Sequence, residues 1–196
     1  MVKIITGTAK GKRLLTLPTD ETRPTSQRIK EAMFSSIQFD IEGRRVLDLF
    51  AGSGQLGLEA LSRGASSAMF NDMSREAELI IKKNTQSLGF FDKCRFLSND
   101  YRNYIRKSAG KDKFDLVFID PPYSMKCAGD ALLRLKDADM LNDGALTVIE
   151  LGEEDTDFSG ENFSSFEILK YTSYGKKTSL IILLFRKDER TGEANI

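Results

Sequence analysis

The sequence predicts an α/β protein with a mostly parallel, seven-stranded sheet, an antiparallel hairpin at its C-terminal end and a small N-terminal extension. Three observations carry this prediction. From residue 44 onward, short apolar segments alternate with helical ones, which is the pattern of a doubly wound parallel sheet. A glycine-rich turn follows the first apolar segment, and two strand-like segments joined by a short turn containing Gly175 end the pattern. At 196 residues, one substantial core is the simplest arrangement.

The N-terminal extension is predicted to be a β-hairpin followed by a helix. Residues 3–18 form two strand-like segments around a turn at residues 10–12. Thr25 or Ser26 can cap a helix that runs to about Ile37, with Arg28 and Lys30 outside its apolar stripe. The extension is not needed to build the sheet, so we assign residues 1–40 to substrate recognition and 41–196 to the main domain.

The main domain reads as alternating strands and helices up to its final hairpin. The strands are predicted at residues 44–50, 67–71, 94–97, 114–119, 145–151, 166–174 and 178–185, and the helices at about 55–63, 74–88, 101–108 and 127–137.

A nucleotide-type cofactor is indicated by the turn after the first strand. Gly52, Gly54 and Gly57 match G-x-G-x-x-G between a strand and a helix, where glycine allows a sharp turn and close approach to a ligand. Asp72 lies 20 residues beyond Gly52, near the spacing at which an acidic residue reaches a ribose hydroxyl. Nicotinamide dinucleotides and S-adenosylmethionine both fit this unit.

Three details favour S-adenosylmethionine. Asp48 precedes the turn, where a carboxylate suits an ammonium group and would repel a pyrophosphate. Asp100 and Asp120 follow the third and fourth strands, so that carboxylates stand at four successive strand ends, on the sheet edge where ligands bind. The antiparallel C-terminal hairpin is typical of methyltransferases, whereas dehydrogenases keep that edge parallel.

The tetrapeptide Asp120-Pro121-Pro122-Tyr123 predicts a pocket for a flat base carrying an exocyclic amine. Proline fixes its own φ and restricts the residue before it, so the Asp120 carboxylate and a main-chain carbonyl can both accept from one NH₂ group. The Tyr123 ring can then stack on the base.

The composition narrows the chemistry further. The chain contains no histidine, which excludes Ser–His or Cys–His catalysis and His-ligated metals. Cys94 and Cys127 lack metal-ligand spacing and cannot form a disulfide framework, so we expect no metal and a cytoplasmic location. No apolar run is long enough for a membrane span. Overall charge is balanced, with 29 basic and 29 acidic residues, but residues 1–30 carry a basic excess suited to nucleic acid.

With these motifs in place, the chain resembles the RsmD family, 16S rRNA (guanine-N2)-methyltransferases, over nearly its whole length. The motifs that carry the resemblance are Ile4–Gly7 with Gly11–Leu14, Arg23–Thr25 with Arg28 and Glu31–Phe34, Asp48–Gly54, Leu56–Ala65, Asp120–Tyr123 and Tyr174–Thr178. Asn71 departs from the family, which usually has an apolar residue there, and we expect it to loosen the strand end. The acidic segment 150–161 is expected to point away from RNA.

The resemblance implies a set of site residues. Those expected to bind S-adenosylmethionine are Asp48, Phe50, Ala51, Gly52, Ser53, Gly54, Asp72, Met73, Asp100 and Tyr101. Those expected to hold the flipped guanine for catalysis are Asp120, Pro121, Pro122 and Tyr123, and those expected to face RNA are Lys10, Lys12, Arg13, Arg23, Thr25 and Arg28.

The resemblance further implies that the substrate is 16S rRNA in a small-subunit particle and that the protein is a monomer. The alternatives are an adenine-N6 DNA methyltransferase, a non-catalytic scaffold for ribosome assembly on the same fold and, more distantly, a nicotinamide-dependent oxidoreductase.

Overall fold

A computed structural model describes residues 2–17, 27–152, 158, 160–175 and 178–187. It contains one seven-stranded sheet in the order β3-β2-β1-β4-β5-β7-β6. The strands, β1 to β7 in chain order, are Arg45–Asp48, Ser67–Asp72, Cys94–Ser98, Phe114–Ile119, Leu141–Leu151, Phe166–Tyr174 and Thr178–Phe185. Strands β1 to β5 run parallel, and β7 pairs antiparallel with both β5 and β6. The predicted fold class is confirmed.

The described residues contain five α-helices, of which the first precedes β1 and the other four connect β1 to β5 in turn. In chain order, α1 to α5 are Gln27–Ser36, Gln55–Ser62, Arg75–Leu88, Tyr101–Ser108 and Ala128–Asp137. The bounds of α3 follow from the residues at its two ends. At the start, the Ser74 side chain accepts a hydrogen bond from the Ala77 N–H, and at the end Gly89 terminates the helix with a φ of 74°. None of the helices that the structure describes is long and apolar enough to span a membrane.

Neighbouring positions along each strand point to opposite faces of the sheet, and this alternation produces two cores. On one face, Leu47 and Val117 pack with residues of α4 and α5. On the other face, Val46 and Leu116 pack with α1, α2 and the N-terminal segment. The central strands β1, β2 and β4 are therefore largely buried on both sides, which explains their mostly apolar sequences.

The first strands from the two halves of the sheet, β1 and β4, lie side by side at its centre. Their registered pairs include Asp48 with Phe118, and the Leu49 N–H donates to the Phe118 carbonyl at 3.1 Å. The chain order reverses between these strands, so the segments that leave their carboxyl ends diverge and open a crevice. Asp48, the glycine turn and Asp120 all reach this edge.

The predicted N-terminal hairpin is present only as a short pairing. An antiparallel bridge joins Lys3 and Arg13, the Ile4 N–H donates to the Lys12 carbonyl at 2.9 Å, and the Leu14 N–H donates to the Val2 carbonyl at 3.0 Å. The pairing does not extend into two regular strands, because the next backbone donors are used elsewhere. The N–H groups of Ile5 and Thr6 donate to the two carboxylate oxygens of Glu59 on α2, at 2.7 and 3.0 Å, rather than across a hairpin. Glu59 is fully buried, so these donors also satisfy its charge.

Lys30 is a second difference, because its side chain is only 4% exposed and does not face solvent. Its ammonium group lies 3.4 Å from the Lys3 carbonyl and 3.5 Å from Gln55 Oε1. Burial lowers the pKa of Lys30, and the nearby Glu59 charge opposes that change. The predicted capping residues Thr25 and Ser26 lie outside the described residues.

The N-terminal segment and α1 share one core with the main domain, since Ile4, Leu14 and Phe34 belong to the same apolar cluster as Val46. The boundary at residue 40 therefore marks no gap in packing, and the assignment of residues 1–40 to substrate recognition stays a prediction.

Candidate functional site

The glycine turn at the carboxyl end of β1 is held from the neighbouring strand β2. Gly52 and Gly54 have φ values of 53° and 79°, which residues with a side chain rarely adopt. The Gly52 N–H donates to Asp72 Oδ2 at 2.8 Å, and the Ala51 N–H donates to the Asn71 carbonyl at 2.9 Å. The turn is thus fixed by the end of β2, and the two predicted halves of a cofactor site meet.

Asp48 lies beneath this turn as a buried carboxylate, 2% exposed. Its Oδ2 accepts from the Gly57 N–H at 2.9 Å. Burial raises the pKa of Asp48 to about 7; the Gly57 N–H acts in the opposite direction, and the like-charged Asp72 adds to the rise. A cationic group at this position would favour the charged form of Asp48, so its environment fits the ammonium end of a methionine moiety.

Ser53 also lies inside the turn and is 1% exposed, and its Oγ is a buried polar atom with no hydrogen-bond partner in the described chain. Its carbonyl accepts from Asn84 of α3 at 3.0 Å. The same Asn84 amide exchanges hydrogen bonds with the backbone of Leu15, at 2.8 and 3.0 Å. Asn84 therefore joins the glycine turn to the N-terminal segment, a contact that the sequence did not indicate.

Asn71 was expected to loosen the end of β2, and the structure shows the opposite. Its amide nitrogen donates to the Leu49 carbonyl and to the Asn99 carbonyl, both at 3.1 Å, and the residue is 1% exposed. These bonds tie the end of β2 to the residues that follow β1 and β3. A polar side chain is tolerated in this core position because it satisfies backbone acceptors.

Asp72 and Met73 lie at the mouth of the crevice. The Asp72 carboxylate is half-buried and accepts from Gly52 and, through Oδ1, from the Ser74 N–H at 2.8 Å. Each carboxylate oxygen has further lone pairs that can accept from ribose hydroxyls. The Met73 side chain is 72% exposed, an apolar surface beside Asp72 of the kind that can cover an adenine ring.

Asp100 and Tyr101 follow β3 and begin α4. Asp100 Oδ1 caps the helix by accepting from the Arg102 N–H at 2.9 Å. Tyr101 is 2% exposed, with its ring 5.3 Å from that of the half-buried Phe50 and its hydroxyl donating to Asp130 at 2.6 Å. Tyr101 therefore supports Phe50 from behind rather than presenting a free surface to the crevice.

The tetrapeptide Asp120–Tyr123 lies directly after β4, across the crevice from the glycine turn. Asp120 is half-buried, Pro121 is buried, and Pro122 is exposed at the start of a short 3₁₀ turn, Tyr123–Met125. The Tyr123 ring is 37% exposed, and its hydroxyl donates to Glu150 Oε1 at 2.8 Å and lies 3.0 Å from Thr178 Oγ1. An acceptor and an aromatic ring are therefore displayed together.

The expectation that the acidic segment 150–161 points away from RNA stays a prediction, but the first residue of the segment, Glu150, lies beside the predicted base pocket. It lies on β5, is 1% exposed and contacts the predicted base-stacking ring. The signal in the sequence was a single acidic residue inside the apolar run of β5. Residues 153–157 and 159 of the segment lie outside the described chain.

The predicted RNA-facing residues are surface residues where the structure describes them. Lys10, Lys12, Arg13 and Arg28 are all exposed. Arg23 and Thr25 lie outside the described residues. Within the part of the chain that the structure describes, no group of three or more His, Cys, Asp or Glu side chains is arranged to hold a metal ion.

Comparison with known proteins gives consistent results. A family model described as Conserved hypothetical protein 95 matches residues 2–183. Ribosomal RNA small subunit methyltransferase D of Haemophilus influenzae is 32% identical over 164 residues, 83% of this chain and 85% of that protein. A solved Escherichia coli chain, described as a candidate methyltransferase, has a TM-score of 0.82 at 27% identity and covers 95% of this chain and 99% of its own.

A more distant solved structure shares the fold. It is a candidate methyltransferase determined in complex with SAH, with a TM-score of 0.65 at 13% identity. It covers 79% of this chain and 48% of its own.

Proposed function

The chain belongs to the RsmD family of methyltransferases, and from this membership we propose that it transfers a methyl group from S-adenosylmethionine to the exocyclic N2 amine of a guanine in 16S ribosomal RNA. The observation that carries the proposal is the placement of Asp120 and Tyr123 across the crevice from the glycine turn and the buried Asp48. Ribosomal RNA of the small subunit is the substrate named for the relatives. For this chain we propose that the RNA is methylated within a small-subunit particle, in the cytoplasm.

S-adenosylmethionine, when bound, supplies an electrophilic methyl group on a sulfonium. Asp48 would face its ammonium end, Asp72 its ribose, and Met73 and Asp100 its adenine. The buried Ser53 Oγ, which has no hydrogen-bond partner among the described residues, supports this assignment, because it offers an unused polar group inside the turn. The protein's own task is then to position two reactants and exclude water.

The chemistry of the acceptor explains the need for the tetrapeptide. An amine on an aromatic ring is a poor nucleophile because its lone pair is delocalised into the ring. The Asp120 carboxylate and the Pro121 carbonyl would each accept a hydrogen bond from one N–H group of the amine. This arrangement would favour a pyramidal nitrogen whose lone pair is localised. The base must leave its stack to reach this edge, and Tyr123 offers it a replacement stacking surface.

Nucleoside mass spectrometry tests the proposal. The protein is incubated with S-adenosylmethionine and small-subunit particles from cells that lack the enzyme, and the RNA is digested. We expect new N2-methylguanosine. N6-methyladenosine formed on DNA instead would identify the adenine methyltransferase, and cofactor binding without any product would favour the scaffold.

The raised pKa of Asp48 predicts that cofactor affinity depends on pH. Folding favours the neutral form of Asp48, because its folded pKa of about 7 lies above its ordinary value. The contribution of Asp48 to the free energy of unfolding of the cofactor-free protein is therefore lost as the pH rises toward 7. A cationic ligand, by contrast, requires the charged form of Asp48. We therefore expect the affinity for S-adenosylmethionine to increase as the pH is raised from about 5 to about 7, by up to about 10-fold per pH unit. Calorimetry measures this change.

Asp48→Asn is the decisive variant for this titration. It keeps an acceptor for the Gly57 N–H but cannot ionise, so its affinity should be weaker at neutral pH and nearly independent of pH. Asp92→Asn, an exposed carboxylate before β3 at the opposite edge of the sheet, should keep the wild-type profile. An unchanged slope in Asp48→Asn would contradict the role assigned to Asp48.

The exposed basic residues of the N-terminal region predict a salt-dependent RNA contact. Replacing Lys12, Arg13 and Arg28 together by alanine should weaken RNA binding and reduce the slope of log affinity against log salt by about 2, since each phosphate contact on single-stranded RNA contributes roughly 0.7. Fluorescence anisotropy at several salt concentrations measures the slope.

A matched control removes the same number of charges elsewhere. Arg106, Lys107 and Lys111 are exposed at the end of α4, away from the carboxyl edge where that helix begins. Their triple alanine variant should keep the wild-type slope. If it loses the slope and the N-terminal variant does not, the RNA surface lies on α4 instead.

A further inference from the structure

The Tyr123 hydroxyl takes part in a chain of hydrogen bonds that the proposed reaction does not use. It donates to Glu150 Oε1 at 2.8 Å and lies 3.0 Å from Thr178 Oγ1. A phenol has one proton, so with that proton on Glu150 the Thr178 hydroxyl is the donor to Tyr123. The order Thr178 to Tyr123 to Glu150 therefore gives the Tyr123 hydroxyl one donor and one acceptor.

The backbone beneath the ring is shaped to accept it. A Cβ atom on Gly152 would lie 3.1–3.2 Å from Tyr123 Cγ, Cβ and Cδ1, closer than most real contacts. The ring is thus packed at its base against residue 152, bonded at its tip, and still 37% exposed. Contacts at both ends remove the rotation that a half-exposed tyrosine would otherwise have.

The partners of the ring come from the antiparallel edge of the sheet. Glu150 is near the end of β5, where it pairs with Leu180 of β7, and Thr178 is the first residue of β7. β5 pairs in parallel with β4, which leads into Tyr123. The C-terminal hairpin, which lies outside the cofactor-binding half, thereby reaches the proposed base pocket.

We propose that Glu150 and Thr178 are positioning residues that fix the plane of the Tyr123 ring for stacking on the target base. This inference rests on the proposed function. Burial of the Glu150 carboxylate strengthens a hydrogen bond from the phenol. Because the hydroxyl proton is directed at Glu150, the tyrosine acts through its ring, and the hydroxyl serves as an anchor.

The activity test uses Thr178→Val, which keeps the shape of the side chain and removes its hydroxyl. We expect kcat for RNA methylation to fall by about 10- to 100-fold, the scale of a misplaced substrate, while the Kd for S-adenosylmethionine and the Tm stay at wild-type values. Thr178→Ser should restore kcat. Tyr123→Phe should lose at least as much activity, and adding Thr178→Val to it should cost nothing further, because both changes remove the same bond.

Matched controls come from the same hairpin. The Tyr171 hydroxyl donates to Ser179 Oγ at 3.1 Å on the exposed part of β6. Tyr171→Phe and Ser179→Ala therefore remove a similar bond outside the pocket and should leave kcat unchanged. A loss in these controls equal to that in Thr178→Val would overturn the proposal, because the effect would then be a general one of the hairpin.

A readout independent of activity separates this inference from the proposed function. The chain has 5 tyrosines, so 3-fluorotyrosine labelling gives few ¹⁹F signals, and Tyr123→Phe identifies the one that belongs to Tyr123. Thr178→Val should shift or broaden that signal and leave the others in place. If wild-type protein makes no methylated product, the proposed function fails and this signal alone decides whether the chain of bonds holds the ring. An unmoved signal together with unchanged kcat overturns the inference.

Discussion

Asp120→Ala is expected to abolish methyl transfer while the affinity for S-adenosylmethionine stays nearly unchanged. Asp120 follows β4, whereas Asp48 and Asp72 accept hydrogen bonds from the N–H groups of Gly57 and Gly52 in the glycine motif. Removing one preorganised group that stabilises the reacting atoms typically costs about 10²- to 10³-fold in kcat. Single-turnover methylation and calorimetry measure the two quantities on the same protein.

Two further variants sharpen the interpretation of Asp120. Asp120→Asn keeps one acceptor oxygen and should retain part of the activity. Asp92→Ala removes an exposed carboxylate at the opposite edge of the sheet and should behave as wild type. If Asp120→Ala loses cofactor binding as well as transfer, then Asp120 belongs to the cofactor site and its assignment to the base is wrong.

Gly7→Ala is expected to destabilise the protein by at least about 3 kcal/mol, in the range reserved for specific steric or packing defects. Gly7 has a φ of 86°, and an added Cβ would lie 1.8 Å from the Ser62 carbonyl oxygen, a backbone atom that cannot move aside cheaply. Relieving the clash would break the bonds from Thr8 N–H to the Ser62 carbonyl at 2.8 Å and from Ala9 N–H to Ser62 Oγ at 3.0 Å. Urea denaturation measures the loss.

Gly11→Ala provides the control, because it separates backbone conformation from steric clash. Gly11 has nearly the same φ, 80°, but no atom lies within 4 Å of a built Cβ. It should cost only the penalty of a left-handed residue, about 1–2 kcal/mol. If both variants lose the same free energy of unfolding, the close approach of Gly7 to Ser62 does not contribute to holding the N-terminal segment in place.

The sheet was predictable because its signals are local. Continuous apolar segments such as 116–119 mark strands buried on both faces, and the glycine motif marks the turn into α2. The extent of the N-terminal hairpin was not predictable, although residues 3–18 alternate as strands do. Two of its backbone donors, the N–H groups of Ile5 and Thr6, are taken by Glu59, more than 50 residues away in the chain.

The predicted site shows the same division. The sequence predicted that Asp48, the glycines, Asp72 and the Asp120–Tyr123 tetrapeptide lie together, because each is at or just after the carboxyl end of a strand and these ends meet at one edge of a parallel sheet. The roles of single side chains at that edge could not be predicted from the sequence. Asn71 ties the strand ends together instead of loosening them, and Tyr101 is a buried support rather than a surface.

The sequence by itself therefore determined the fold class, the order of strands and helices, the edge at which the site lies and the motifs that identify the family. Only the tertiary structure decided which distant residues contact the proposed base-stacking ring: Glu150, 27 residues from Tyr123, and Thr178, 55 residues from it. It also decided that Lys30 is buried. The physical reason is that periodicity and turn chemistry act between near neighbours in the chain, whereas hydrogen bonds between side chains depend on sheet register, which joins segments of any separation.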